Sequence, residues 1–181
     1  MGIADRFSRW RHTKGYGVHS PLAFCLVQHV VKPSRNTIYY GEEKLDAADL
    51  PYKLVRRARI LLRLVAELQP SSVWISPGMP ELLSEAIRLA GCVIRVYDGE
   101  LYPDGLSESD MVVLYNYKLK KTELRKIMVA GKSLVAFGIQ SKAMSLIAGL
   151  LKGGVMLEAI ESAIAINTRD EAAHIYKILR F

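Results

Sequence analysis

The clearest hydrophobic pattern lies between Tyr52 and Leu68. Leu54, Val55, Ala58, Leu61, Leu62, Val65 and Leu68 recur at helical spacing, with Lys53, Arg56, Arg57, Arg59 and Arg63 mainly off that stripe. This predicts an amphipathic helix with a basic outer face, stopped by Pro70. Upstream, Ser20 and Pro21 read as an N-cap and first helical residue. Leu22, Cys25, Leu26, His29 and Val30 continue a helix to about Val31. Residues 1–19 read as a basic arm carrying Phe7, Trp10 and Tyr16, and residues 35–51 as a polar connection with an acidic cluster.

After Pro70 the pattern becomes short apolar runs alternating with helical ones. Strands are predicted at Val73–Ser76, Cys92–Tyr97, Met111–Asn116 and Ser133–Phe137, and helices at Glu81–Ala90, Lys120–Val129 and Ser141–Leu151. Such alternation implies a mostly parallel sheet covered on both faces. Val155–Asn167 and Ala173–Phe181 are strand-like and joined by the polar segment Thr168–Glu171. They predict an antiparallel hairpin on one edge of the sheet. The fold class is therefore α/β: a three-layer sandwich with a C-terminal antiparallel hairpin and an N-terminal helical extension. Residues 1–70 form the arm and helices, residues 71–181 the α/β body, and both belong to one compact unit.

Charge divides the 181 residues along the same line. Residues 1–63 hold 12 Lys and Arg against 5 Asp and Glu, whereas residues 64–181 hold 13 of each sign. The net charge of +7 thus belongs to the segment preceding the sheet. Cations interleaved with aromatics suit nucleic acid, since charges neutralise phosphates and rings stack on bases. A solvated helix face beside an ordinary basic terminus gives the same composition. No apolar run reaches the ~18 residues of a membrane span. Cys25 and Cys92 sit in apolar segments and read as buried thiols of a cytoplasmic protein.

Open α/β sheets bind ligands outside the carboxyl ends of their strands. The first strand-to-helix junction reads Ile75-Ser76-Pro77-Gly78-Met79-Pro80-Glu81. It has one glycine, two prolines without N–H groups, and an acid at the helix start, which disfavours a phosphate cradle. Asp98, 20 residues after Gly78, stands where an acid would bind ribose hydroxyls. His12, His19, His29 and His174 show no metal-ligand spacing with either cysteine, so no metal site is expected. His19 lies in a glycine-flanked loop and is the candidate for a catalytic role.

Gly15-Tyr16-Gly17-Val18-His19-Ser20-Pro21-Leu22-Ala23-Phe24, the pair Tyr39-Tyr40, and the closing His174–Phe181 resemble a bacterial branch of the class I S-adenosylmethionine-dependent methyltransferases. The resemblance implies a Rossmann-like sheet with an antiparallel last strand. It implies S-adenosylmethionine at Ser76, Gly78, Asp98 and Asn116, with His19 near the methyl acceptor. The chain departs from the family pattern where Ile75 replaces an acid and where Pro77 and Glu81 replace glycines. Residues 98–110 are also too few to carry the family's third strand with its flanking helices. Two functions follow. One is a methyltransferase of unknown acceptor. The other is a non-catalytic derivative whose basic region, with Lys53, Arg56, Arg57, Arg59 and Arg63, meets an anionic partner such as nucleic acid.

Overall fold

A computed structural model describes residues 2–34, 37–46, 49–96, 110–118, 120–130 and 133–179. In chain order these form α1 (Ile3–Thr13), α2 (Pro21–Cys25), a π-helical turn (Leu26–Val31), a 3-10 turn (Glu42–Leu45) and α3 (Tyr52–Leu68). Then come β1 (Val73–Ile75), α4 (Glu81–Leu89), β2 (Ile94–Val96), β3 (Met111–Tyr115), α5 (Lys121–Ala130), β4 (Ser133–Phe137), α6 (Ser141–Leu150), β5 (Gly153–Ala159) and β6 (Ser162–Lys177). The crossover from β2 to β3, where the sequence implies a missing strand, lies outside the described residues.

The strands make one sheet in the order β2-β1-β3-β4-β6-β5. β2, β1, β3 and β4 run parallel, and β6 runs antiparallel beside β4. This α/β arrangement, mostly parallel with antiparallel pairing at one end, is consistent with a Rossmann-like sheet. Strand alternation decides which side chain faces which helices. Val73, Ile75, Met111, Val113, Val135 and Phe137 point to one face, under α2, the π-turn, α3 and α4. Val112, Leu114, Leu134 and Ala136 point to the other, under α5 and α6.

The C-terminal pairing differs from the sequence expectation. The tight turn falls at Ile160–Glu161, so β5 and the first half of β6 form the antiparallel hairpin, Val155 opposite Ile166 and Leu157 opposite Ile164. Nothing in that stretch carries Gly or Pro to mark a turn. Instead Glu161 adopts φ 56, and its carbonyl accepts from Gly138 N and Ile139 N at 2.7 and 3.1 Å. β6 then turns back round β5. Val155 also pairs with His174, Met156 with Ile175 and Leu157 with Tyr176, a register that rises with β5 as between parallel strands. β5, itself the first part of the predicted Val155–Asn167 arm, therefore lies between residues 162–167 and residues 173–177. The returning backbone passes over Gly154, where a β-carbon would overlap the Ile166 carbonyl and crowd Thr168 N. Only glycine fits there, and its φ of 98 requires one as well.

Residues 3–13 are a helix rather than a loose arm. Its contacts with the body are polar, which is why no apolar period announces it. Arg9 Nη1 donates to the Ile178 carbonyl at 3.1 Å, and Thr13 Oγ1 accepts from Leu179 N at 3.0 Å. α3 is buried on two sides. Leu61, Leu62 and Val65 face the sheet side predicted from the stripe, and Ile60 and Leu64 are also buried, in the cluster shared with Leu26, Val30 and Leu45. Each such side chain removed from water contributes roughly 2 kcal/mol. No helix among the described residues is long and apolar enough to cross a membrane.

Candidate functional site

β1 leads through α4 to β2 on one side, and β3 leads through α5 to β4 on the other. The topological switch point is therefore between the carboxyl ends of β1 and β3. There Ser76 is buried, and its Oγ accepts from Tyr115 N at 3.0 Å, while Ser76 N donates to Val113 O at 3.0 Å. The hydroxyl oxygen thus bridges the two strand ends. Gly78 is exposed, with open space beside its α-carbon. Asn116 is exposed at φ 48, and a β-carbon on Gly138 would overlap its Oδ1, so this close approach also needs glycine. Ser76, Gly78 and Asn116 thus share one end of the sheet; Asp98 lies outside the described residues.

Arg57 covers the next stretch of that end. It is 5% exposed, and its guanidinium lies 5.3 Å from the Phe137 ring centre and 5.9 Å from that of Tyr115, the last residues of β4 and β3. Its Nη2 donates to Ser162 Oγ at 3.2 Å. Burial pulls its pKa below the ordinary guanidinium value, against the opposing influence of Tyr115 and Glu161. One residue is a 100° step round a helix, so neighbouring Arg56 emerges elsewhere. Lys53 takes a third direction and pairs with Glu161 at 2.7 Å. The Lys53 hydrogen bond and charge hold the Glu161 carboxyl below its usual range.

Arg56, Arg59 and Arg63 line a cleft of about 370 Å³ between α1, the end of the π-turn and α3, together with Trp10, Lys14, Lys32 and Tyr52. Among the described residues its lining contains no Asp or Glu. From just outside, Glu42 and Asp46 of the 3-10 region reach in. Arg63 pairs with Glu42 and donates to the Val30 carbonyl at 3.1 Å, and Arg59 pairs with Asp46. Lys14 and Lys32 face one another. Lys32 is held below the ordinary lysine value, first because its uncharged amine can accept a hydrogen bond from Lys14, then by burial and by that neighbour's like charge. Among the described residues no carboxylate pairs with either lysine. Trp10 is 44% exposed and Tyr52 68%. The five cations on α3 therefore divide: three at the cleft, Lys53 at the β5–β6 turn, Arg57 beneath the helix.

Two of the stretches that carry the resemblance, the loop leading into α2 and the end of β6, meet in space. Ser20 Oγ accepts from Ala23 N at 3.2 Å and caps α2. The Tyr176 hydroxyl accepts from both His19 N and Ser20 N at 3.2 Å. His12 Nδ1 lies 3.0 Å from the Lys177 carbonyl. This loop is a joint between the chain's two ends, with the His19 side chain exposed.

A further group escaped the sequence reading. Cys25 Sγ lies 3.8 Å from His29 Nδ1, which lies 3.7 Å from Glu67 Oε1 on α3. All three donor atoms fall within 4.8 Å of one another. This corrects the expectation that no histidine has metal-ligand spacing with a cysteine: Cys25 and His29 are four apart on one helical turn. That spacing was the available signal, while Glu67 is remote in sequence. Both cysteines are free and only partly buried. Burial, and then the Glu67 charge, push the Cys25 thiol up.

Compared with known proteins, the chain matches no family model, no curated protein and no solved structure.

Proposed function

We propose that this chain is a methyltransferase-like fold serving as a binding module: a Rossmann-like three-layer sandwich whose N-terminal helical extension offers a basic, aromatic-flanked cleft to single-stranded nucleic acid. One observation carries the reading. Lys14, Lys32 and Arg56 line one cleft beside Trp10 and Tyr52, and among the described residues no carboxylate pairs with Lys14 or Lys32. Two like charges at close range disfavour each other, and a phosphate between them reverses the penalty. Trp10 and Tyr52 flank the cations as stacking surfaces for bases.

The described residues do not fit S-adenosylmethionine well. The Ser76 hydroxyl oxygen already accepts from Tyr115 N, Ile75 offers no acid, and Pro77 and Pro80 bring no N–H to a ligand. Arg57 fills the strand ends beside them. A second reading, a methyltransferase, keeps support from the strand order, with an antiparallel strand inserted between the last two parallel ones, and from the open space at Gly78.

Fluorescence polarisation with a labelled single-stranded oligonucleotide tests the first reading. With three phosphates neutralised, affinity should fall roughly twentyfold between about 50 and 200 mM salt. Lys32→Glu with Arg56→Glu should weaken binding at least about tenfold. Calorimetric titration with S-adenosylmethionine tests the second. Heat with one-to-one stoichiometry would establish it, and no heat at millimolar ligand would end it.

A further inference from the structure

We propose that Cys25, His29 and Glu67 form an open site for a zinc-type divalent cation. Cys25 ends α2, His29 lies four residues on in the π-turn, and Glu67 comes from the last turn of α3. The two helical segments are fixed against each other by Leu26, Val30 and Leu64, all nearly or fully buried. The donors are thus held by packed elements and not by a loose surface loop.

The separations suit one small cation. Zinc binds sulfur at ~2.3 Å and imidazole nitrogen or carboxylate oxygen at ~2.0 Å, so tetrahedral geometry requires about 3.6 Å between S and N and about 3.3 Å between N and O. The observed distances are 3.8 and 3.7 Å. Those two pairs close with movements of a few tenths of an ångström, and the third, Sγ to Oε1, lies within 4.8 Å and closes with a turn of the Glu67 side chain. Thiolate, imidazole and carboxylate together are also the donor set of a borderline-soft metal, not of calcium or magnesium.

The hydrogen-bond pattern points the same way. Sulfur and carboxylate oxygen both approach the same ring nitrogen, Nδ1 of His29. A single Nδ1 cannot serve both as a straight hydrogen-bond partner. It is also not the arrangement of a nucleophile–base–acid relay, which needs the acid on the second ring nitrogen. Three electron-rich atoms converging on one point are satisfied by a cation there. Tyr39 holds the carboxylate: its hydroxyl lies 2.6 Å from Glu67 Oε1 and 3.0 Å from the His29 carbonyl, so one side chain touches two of the ligating residues. Such outer partners orient ligands in metal sites. The His29 side chain is 53% exposed, which leaves an entry path and a fourth position for water or a ligand.

The site lies apart from the carboxyl-end groups and is independent of the function proposed above. Cobalt and zinc titrations of the full chain test it. Cobalt should bind one-to-one and give the thiolate-to-metal charge-transfer absorption of a cysteine ligand. Cys25→Ser should abolish that band and Cys92→Ser should leave it. Zinc, read by competition with a chromophoric chelator, should bind about tenfold or more weakly in Glu67→Gln and in Tyr39→Phe. Should Cys25→Ser fail to fold, His29→Gln at a half-exposed position must weaken zinc similarly, and zinc must protect Cys25 from alkylation in the unaltered chain. No charge-transfer band, a band that survives Cys25→Ser, or unprotected Cys25 would overturn the proposal.

Discussion

Two regions of this molecule spend their polar groups in opposite ways. At the carboxyl ends of the strands, where open α/β sheets usually place chemistry, the groups are committed to one another. Ser76 bridges β1 and β3, Arg57 lies on Phe137 and Tyr115 and bonds Ser162, and the Glu161 carbonyl takes two N–H groups from the end of β4. In the layer formed by α1, the π-turn and α3, cations face cations and three metal-type donors face one point. Buried polar groups that satisfy each other are structural material. In the cleft Arg59 and Arg63 are neutralised by Asp46 and Glu42, while among the described residues no carboxylate pairs with Lys14 or Lys32. Under the proposed function, recognition belongs to the N-terminal layer rather than to the strand ends.

The largest test of this contrast is Arg57→Ala. It removes two ring contacts and a hydrogen bond and leaves a void, for an expected loss of about 3 kcal/mol in urea unfolding. Arg57→Met should restore most of that, because apolar packing can replace a buried charge whose desolvation is costly. Lys32→Glu with Arg56→Glu should do the reverse: at least about tenfold weaker oligonucleotide binding, with a stability change within about 0.5 kcal/mol. Stability loss there and none at Arg57 would invert the comparison.

Ser76→Ala should cost about 1 kcal/mol for the lost Tyr115 N–H partner, and leave oligonucleotide affinity unchanged. A pH series sharpens the cleft itself. Lys32 has a lowered pKa in the free chain, and a bound phosphate raises it again, so binding takes up protons. Affinity should therefore fall as pH climbs through that lowered value, and calorimetry in buffers of different ionisation heat should register the uptake. Lys32→Met should remove the uptake. The smallest effect belongs to Lys53→Met. The Glu161 carboxyl is depressed in the folded chain, so its contribution is present above the ordinary carboxylate pKa and is lost as pH falls through the depressed value. The variant should flatten that acid limb slightly in thermal unfolding, and nowhere else.

How much of this was legible in the sequence depends on what holds each element. α3, α4, α6 and the inner strands are held by apolar burial, which leaves a period of 3.6 in the helices and short unbroken apolar runs in the strands, both of which can be read directly. α1 is held by Arg9 and Thr13, so its sequence looks like an arm. The Ile160–Glu161 turn sits inside an apolar run and is fixed by backbone donors from Gly138 and Ile139, which no local composition reveals. On α3 the basic stripe was visible but its division was not. Arg56 and Arg57 differ by one helical step, and only packing decides that one meets the cleft and the other meets Phe137. The metal donors were half legible, through the Cys25–His29 spacing. Glu67 joins them only because α3 folds across the π-turn.

The most direct measurement is a polarisation titration of one labelled single-stranded oligonucleotide at two salt concentrations, with the unaltered chain and the Lys32→Glu, Arg56→Glu double variant side by side. Salt-sensitive binding that weakens at least about tenfold in the double variant is the predicted result. Binding that ignores both salt and the two substitutions, or no binding at low salt, would contradict it.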